Sequence, residues 1–340
     1  MLSEQNVIDT VRAAGLGNDS VVALVKKHNH VWRIESDGRA FYLKTFTKDW
    51  YRGDTVLHTR GCVDHEASAW GILAKHGLAV PRIVREEMTC DNPLGRPFIL
   101  TEALKGRPLT DLLEGAGPRD FARMLRVVGE YLARMHAIEF RFPGYLAQGE
   151  GPSAPPDPNA WRHTIWVYEA FEQCALRQWE SDASAVPAET IARAREFLAR
   201  CAAAMRAEFE PPRFTHGDCH AHQFYLERRE GSWSVTGVVD MEVSSAGEPG
   251  MDFSKMFEVF PAQVPAATRW WEPLFEGYGR TPSLELMKLR LAAAGLGADA
   301  FARIGYRPWP GTRSQVLAHT LDARAWSDLF DLRSLGADVE

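Results

Sequence analysis

Phe214-Thr-His-Gly-Asp-Cys-His-Ala-His-Gln-Phe224, followed a short distance on by Val235-Thr-Gly-Val-Val-Asp-Met-Glu242, decides how the rest of this chain reads. An apolar entry leads into a run carrying His216, Asp218 and Gln223, and an apolar strand pattern then delivers a second acid, Asp240. That is the layout of a loop and a following hairpin that together hold a metal-bound phosphate chain. Moving a phosphoryl group to a hydroxyl needs a carboxylate to orient the hydroxyl and accept its proton. It also needs oxygen ligands for Mg²⁺ bridging the donor's phosphates.

Kinase-type loops place base and amide ligand five residues apart in the pattern His-x-Asp-x-x-x-x-Asn, and a second Asp follows beyond a short hairpin. The corresponding residues here are His216, Asp218, Gln223 and Asp240. Together with His220 and Gly247-Glu-Pro-Gly-Met-Asp252-Phe, they resemble the aminoglycoside phosphotransferase and choline kinase-like group, small-molecule relatives of the protein kinases. Less specific matches at Lys44, Glu66 and Gly277-Tyr278 extend the resemblance over most of the chain.

The resemblance implies an α+β class and a bilobal, protein-kinase-like fold. Residues 1–103 would form an N-terminal nucleotide-binding lobe, an antiparallel sheet with one helix. Residues 104–340 would form a larger, mainly helical C-terminal lobe for catalysis and acceptor binding. The implied activity is transfer of the γ-phosphate of Mg²⁺-bound ATP or GTP to a hydroxyl of a small molecule, with antibiotics, amino alcohols and sugars as acceptor classes.

Site roles follow residue by residue. Asp218 would be the catalytic base, and Gln223 and Asp240 would ligate Mg²⁺. Lys44 would contact the α- and β-phosphates, with Glu66 holding Lys44 in place. Glu102 to Leu104 resembles the linker whose backbone binds adenine, and Asn29 and His30 are candidates for donor contacts. His216 would hold the loop, His220 would sit near the phosphates or pack, and Asp252 would satisfy loop or helix-terminus amides. The bland alternatives are a loop Asp bonded to its own backbone at 218 and a solvated strand lysine at 44.

Two departures matter. Gln223 stands where relatives carry Asn; the ligand type is unchanged, but one extra methylene moves the oxygen by ~1.5 Å. The stretch Lys27-His-Asn-His-Val31 contains no glycine, whereas protein kinases use glycines to bring backbone amides to the phosphates. Both keep open a second reading, a nucleotide-binding pseudokinase with impaired catalysis. A third, a zinc hydrolase, rests on Cys219, His220 and His222, but these are packed within four residues and have no second ligand pair of ordinary spacing.

Composition bounds the partners. Among 340 residues, 45% are hydrophobic and 25% charged, as in a globular protein with room for two domains. A formal charge of −6 argues against nucleic acid or an anionic membrane surface, which are bound through excess Lys and Arg. Five scattered cysteines without a Cys-x-x-Cys pair fit a reducing cytoplasm. No run approaches the ~20 apolar residues needed to span a bilayer.

Along the chain, the spacing predicts a helix over 5–15, a hairpin over Val21 to Phe46 turning at Asp37-Gly38, and a helix over 64–76 capped by Asp64 and stopped by Gly77. Short strands are expected at Val80 to Val84 and Phe98 to Thr101, with the lobe junction near Glu102 to Gly106. Phe121, Met124, Leu125, Val128, Leu132 and Met135 repeat at helical spacing and predict a core helix over 119–138. A proline-rich loop covers Gly149 to Pro158. Helices are expected at 161–179, 188–207, 255–260, 266–279, 282–294, 297–305 and 312–333, with a break at Pro308 to Gly311. The acceptor pocket is expected near Glu242, Trp270, Trp271, Tyr278 and Trp309.

Overall fold

Period-two alternation builds the first lobe. In the computed structural model, which describes residues 3–17, 21–26, 29–46, 50–52, 55–57, 59–146, 149–152, 187–209, 211–259, 269–285, 287–288 and 313–330, the chain starts with helix α1 (Glu4–Ala13). Strands β1 (Val21–Lys26), β2 (Val31–Ser36) and β3 (Arg39–Lys44) then form an antiparallel meander. Asp37 and Gly38 take φ of 51° and 70°, the two-residue turn that Asp-Gly favours, so Ser36 pairs directly with Arg39. After the small hairpin of β4 (Trp50–Arg52) and β5 (Thr55–Leu57), β6 (Ile83–Glu87) and β7 (Phe98–Glu102) complete a five-stranded sheet in the order β1-β2-β3-β7-β6.

Trp32, Ile34, Phe41, Leu43, Phe98 and Leu100 face α1, whose Val7 and Val11 close that core. Their alternates Tyr42, Lys44, Ile99 and Thr101 point the other way, into a cleft. The fold class read from the sequence is therefore observed.

In the first lobe the start of the helix expected at 64–76 and the place of β6 differ from expectation, and in the second the helix expected at 255–260 starts at Gly250. Helix α2 (Thr59–Lys75) begins five residues before Asp64, because Cys62 and Val63 are buried and packing carries the helix through Gly61. Asp64 lies inside it, accepting from Ser68 Oγ at 3.5 Å. Its C-terminus is as expected: Gly77 takes φ 70° and the Leu78 amide reaches back to the Leu73 carbonyl at 3.0 Å. Strand β6 lies three residues beyond the expected stretch. As the sheet's edge it tolerates the charged run Arg85-Glu86-Glu87, which hydropathy alone assigns to a loop.

The second lobe starts with β8 (Arg107–Pro108), α3 (Leu109–Leu113) and α4 (Pro118–Met135). All six periodic residues of α4 are buried. After β9 (Gly144–Tyr145) come the helix Ala188–Phe209 and β10 (Arg213–Thr215). Strands β11 (Phe224–Arg229) and β12 (Ser232–Val238) form the second hairpin, and β13 (Ser245–Gly247) pairs with β10 and β9. Helices Gly250–Val259 and Trp271–Tyr278 follow. The helix expected over 312–333 is two, Arg313–Asp322 and Trp326–Phe330, because the Asp328 carboxylate takes the Arg324 and Ala325 amides and starts a new helix. The helices expected at 161–179 and 297–305, the 282–294 helix beyond residue 288, the break at 308–311, Trp309 and most of the 149–158 loop lie outside the described residues.

Helix α4 and the helix Trp271–Tyr278 meet backbone to backbone. A Cβ on Gly277 would lie 1.9 Å from the Arg126 carbonyl oxygen, and one on Gly129 would lie 2.1 Å from that of Leu274. Gly277→Ala is expected to destabilise the protein by at least about 1–3 kcal/mol, the usual range for overpacking, seen as a lower urea midpoint. Gly71→Ala, in α2 with open space where the Cβ would sit, is expected to leave the midpoint unchanged or raise it.

Candidate active site

Lys44 ends β3 on the cleft side and is 12% exposed. Its Nζ lies 2.8 Å from Glu66 Oε2, 2.7 Å from Asp240 Oδ1 and 3.1 Å from Glu242 Oε2. These partners come from α2 and from the end of the β11–β12 hairpin, so one ammonium joins sheet, helix and second lobe. Lys26 Nζ reaches the other Asp240 oxygen at 3.2 Å. Burial works against the Lys44 charge, but Asp240, Glu66 and Glu242 outweigh it and hold its pKa well above the ordinary value. Burial drives Glu66 upward, reinforced by Asp240 and Glu242 and opposed by Lys44. Burial also favours the neutral form of Asp240, yet Lys44 and Lys26 hold its carboxyl far below the usual range.

Helix α2 is bonded to the strand end that carries Asp240. Trp70 Nε1 donates to the Val238 carbonyl at 3.1 Å, and Glu66 Oε1 accepts from the Met241 amide at 3.2 Å. His65, one residue earlier, bridges the Leu146 carbonyl at 2.8 Å and Ser244 Oγ at 3.1 Å. Asp240 itself adopts a left-handed backbone, φ 64° and ψ 52°. For a non-glycine residue that conformation stores roughly 1–3 kcal/mol, of the kind found where a site dictates the backbone.

The loop after β10 is organised by Asp252, buried in the first turn of helix Gly250–Val259. Its Oδ2 accepts from the His216 amide at 2.8 Å and its Oδ1 from the Gly217 amide at 2.7 Å. The same carboxylate meets His136 Nε2 at 3.0 Å, and His136 Nδ1 meets the Tyr278 hydroxyl at 2.9 Å. Gly217 has φ 82°, and a Cβ there would lie 2.3 Å from the Val243 carbonyl oxygen, so only glycine fits. His216 is wholly buried; its Nε2 donates to the Val239 carbonyl at 3.0 Å while its Nδ1 accepts from the Asp218 amide at 3.3 Å. One ring thus ties the loop to the residue before Asp240.

Asp218 projects from that frame with His220 Nε2 3.4 Å from Oδ2 and Lys255 Nζ 3.4 Å from Oδ1. Burial acts to raise its pKa, but His220, Lys255 and His216 more than offset it and hold the carboxyl well below its usual range. Gln223 closes a short 3₁₀ turn, Ala221–Gln223. Its amide nitrogen lies 3.4 Å from Asp218 Oδ2 and 3.2 Å from His220 Nε2, and its amide oxygen makes neither contact. The Val239 amide donates to the Gln223 carbonyl at 3.0 Å, holding the two metal-ligand candidates close along the hairpin.

A cleft of about 480 Å³ opens between the sheet and this loop. Val25, Val31, Tyr42, Ile99, Leu104 and Tyr225 give it apolar walls, and Lys44, Glu66, Gln223 and Asp240 line it as well. The Glu102 carboxylate is tied to Arg39 and Arg82, so what it presents to the cleft is backbone. Leu104 packs over Gly237. Asn29 and His30 are not among the lining residues: Asn29 is buried with its amide nitrogen 2.9 Å from Glu242 Oε2, and burial lowers the His30 pKa.

Several expectations need correction. Glu242 faces Lys44 and Asn29, not an acceptor pocket. Trp270 and Tyr278 are core residues, the latter spending its hydroxyl on His136. Trp271 is mostly buried as well, but it lines a second cavity of about 650 Å³ with Phe275 and Trp326, away from the Lys44 cleft. The Cys219–His222 cluster diverges: the Cys219 thiol is in the core and pushed well up by burial, His220 faces Asp218, and His222 Nδ1 meets Thr110 Oγ1 at 2.9 Å. Among the described residues no three metal-ligating side chains converge, so the geometry gives zinc no site.

Mg²⁺ is a different case, because it takes few protein ligands, all oxygen. Asp240 and Gln223 supply carboxylate and amide oxygens in one cleft. Lys44 and Lys26 keep Asp240 in its charged form, so a carboxylate and not a carboxylic acid faces the cleft. A hard divalent cation fits that donor chemistry.

A sheet lobe with a lysine–glutamate pair, over a mainly helical lobe presenting a loop aspartate and a hairpin aspartate, is the architecture of kinase-like phosphotransferases. The phosphotransferase enzyme family model, APH, matches residues 24–288, and the chain belongs to that family. Among solved structures, a streptomycin–ATP ternary complex of APH(2'')-IIa superposes with a TM-score of 0.57 at 12% identity, over 97% of this chain and 99% of that one. A putative aminoglycoside phosphotransferase from Ralstonia eutropha JMP134 gives 0.58 at 14%, over 98% and 95%. A thermostable mutant of APH(4)-Ia with AMP-PNP and hygromycin B gives 0.57 at 14%, over 94% and 96%. No curated protein sequence matches.

Lys26, His65, His136 and Lys255 carry no local signature; each acts across more than 30 residues of chain. The i+3 relation of Lys255 to Asp252 appears only because the helix expected at 255–260 starts at Gly250. Asp252→Ala would leave the His216 and Gly217 amides and His136 without their acceptor. The expected cost is roughly 2–6 kcal/mol, from about 1–3 kcal/mol for each amide left unpaired, measurable by chemical denaturation.

Proposed function

We propose that this chain transfers the γ-phosphoryl group of ATP or GTP to a hydroxyl of a small molecule, with Mg²⁺ held by Asp240 and Gln223. The observation that carries this reading is the Lys44–Glu66–Asp240 cluster opening on a nucleotide-sized cleft beside the Asp218 loop. Membership of a phosphotransferase family supports it. So do structural neighbours bound to ATP with streptomycin and to AMP-PNP with hygromycin B.

In this reading residues 1–103 bind the nucleotide and residues 104–340 bind the acceptor. The base lies between the apolar walls, against the backbone of Glu102 to Leu104. Lys44, fixed by Glu66, meets the α- and β-phosphates, and Asp218 orients the attacking hydroxyl and takes its proton. Bound Mg²⁺ would supply charge neutralisation on the phosphates. With little covalent chemistry for the protein to do, positioning and electrostatics carry most of the rate. A nucleoside triphosphate donor implies the cytoplasm as the site of action; no described helix is long and apolar enough to cross a membrane. Aminoglycosides and other hydroxylated antibiotics are the first acceptors to screen, with amino alcohols and sugars beside them.

The second reading, nucleotide binding without transfer, is favoured by one observation: both Asp240 oxygens are engaged by lysines and Gln223 replaces the shorter amide. An ADP- or GDP-release screen separates the two.

Asp218→Ala is expected to lower turnover by about 10²–10⁴-fold, the worth of general-base help, while the thermal shift induced by Mg²⁺-nucleotide persists. Retained turnover in that variant would exclude the assigned role. Removal of divalent cations with EDTA is expected to abolish turnover and added Mg²⁺ to restore it. Gln223→Asn, which shortens the amide arm, is expected to keep or raise kcat. A fall to the Asp218→Ala level would show that the longer arm is needed here.

A further inference from the structure

Lys255 has no part in the reading from sequence, yet its ammonium contacts the proposed catalytic carboxylate. It stands one helical turn after Asp252, at i+3, so both side chains leave the same face of helix Gly250–Val259. Asp252 grips the loop backbone through the His216 and Gly217 amides, and Lys255 reaches the side chain of Asp218, 3.4 Å from Oδ1. Phe253 and Met256, between and beside them, are buried in the main core, which anchors the helix. The position of Lys255 is therefore set by the same bonds that set the loop, and its side chain remains 19% exposed.

We propose that Lys255 is a catalytic residue: a phosphoryl-binding cation that approaches the transferring group from the C-terminal lobe, opposite Lys44. The inference rests on the phosphotransfer reading. In the transfer, the acceptor oxygen forms its bond to the γ-phosphorus as the bond from that phosphorus to the β-bridging oxygen breaks. The nucleoside diphosphate leaves with that electron pair, and the hydroxyl proton passes to Asp218. Lys255 neither gains nor loses a proton. It holds Asp218 before the donor arrives, and donates to the equatorial oxygens of the phosphoryl group as charge spreads over them. The ammonium already touches Asp218, the group that would hold the nucleophile, and in this proposal it turns from there to those oxygens. A lysine serves this as a compact charge with three rotatable donors on a flexible stem.

The acceptor is unidentified, so the test uses Mg²⁺-ATP and Mg²⁺-GTP alone, with water as acceptor, alongside any acceptor found by the release screen. Lys255→Met is expected to lower kcat for nucleotide hydrolysis and for transfer alike by about 10²-fold, the cost of one lost transition-state donor. The nucleotide KM should change less than about 3-fold, and Lys255→Arg should recover at least a tenth of wild-type kcat. Hydrolysis unchanged in Lys255→Met, with the loss confined to acceptor KM, would overturn the proposal, since Lys255 would then touch the acceptor alone. Equal losses in Lys255→Met and Lys255→Arg, accompanied by a lower melting temperature in both, would also overturn it in favour of a structural role. A wild type that binds nucleotide but turns over by neither route defeats the phosphotransfer reading itself, and this proposal with it.

Discussion

The Lys44 ammonium is the contact on which the arrangement of the two lobes depends. It joins the sheet, α2 and the β11–β12 hairpin end, through its own strand, Glu66 and Asp240. Burying one cation among three carboxylates is unfavourable unless geometry is good and lone pairs are satisfied. Here the compensation is visible: Met241 donates to Glu66, Asn29 donates to Glu242, and Lys26 takes the second Asp240 oxygen. The left-handed backbone at Asp240 follows from the same demand, since the strand must stop with its acid facing Lys44 and not the core.

A second fixed point lies deeper, at Asp252. One carboxylate sets two consecutive loop amides and is itself oriented by His136, whose other nitrogen meets Tyr278. Both His136 and Asp252 are almost wholly buried. Asp218 can then stay partly exposed and still be held in one place, because the backbone under it is fixed from behind. The tight helix contact at Gly129 and Gly277 brings Tyr278 within reach of His136, so a packing feature far from the cleft bears on the loop's geometry.

How much of this was legible depended on whether the information was local. The Asp37-Gly38 turn, the apolar stripe of α4 and the Gly77 stop are short-range signals, and all three stand in the structure. The start of α2 and the place of β6 depend on what packs against them, so the capping signal of Asp64 and the expected strand at Val80 to Val84 misdirected the reading. In the site, the loop and hairpin acids came from a spacing pattern, whereas Lys26 and Lys255 are found only once the chain folds back on itself. Tryptophan count misled in part: Trp270 fills the core, while Trp271, though mostly buried, edges a separate cavity beside Phe275 and Trp326.

The distribution of cations in the site follows from this geometry. Phosphoryl transfer spreads negative charge over the three equatorial oxygens and the leaving oxygen, so positive groups are useful on both sides of the phosphorus. Lys44 and Lys26 belong to the sheet and stand by Asp240. Lys255 belongs to the opposite lobe and stands by Asp218. The stretch Lys27 to Val31 has no glycine, the residue that lets backbone amides approach phosphates most closely. Side-chain cations from both lobes are the chemical alternative, and they require the lobes to be held in register. The bonds from His65, Glu66 and Trp70 to the segment from Val238 to Ser244 provide that register.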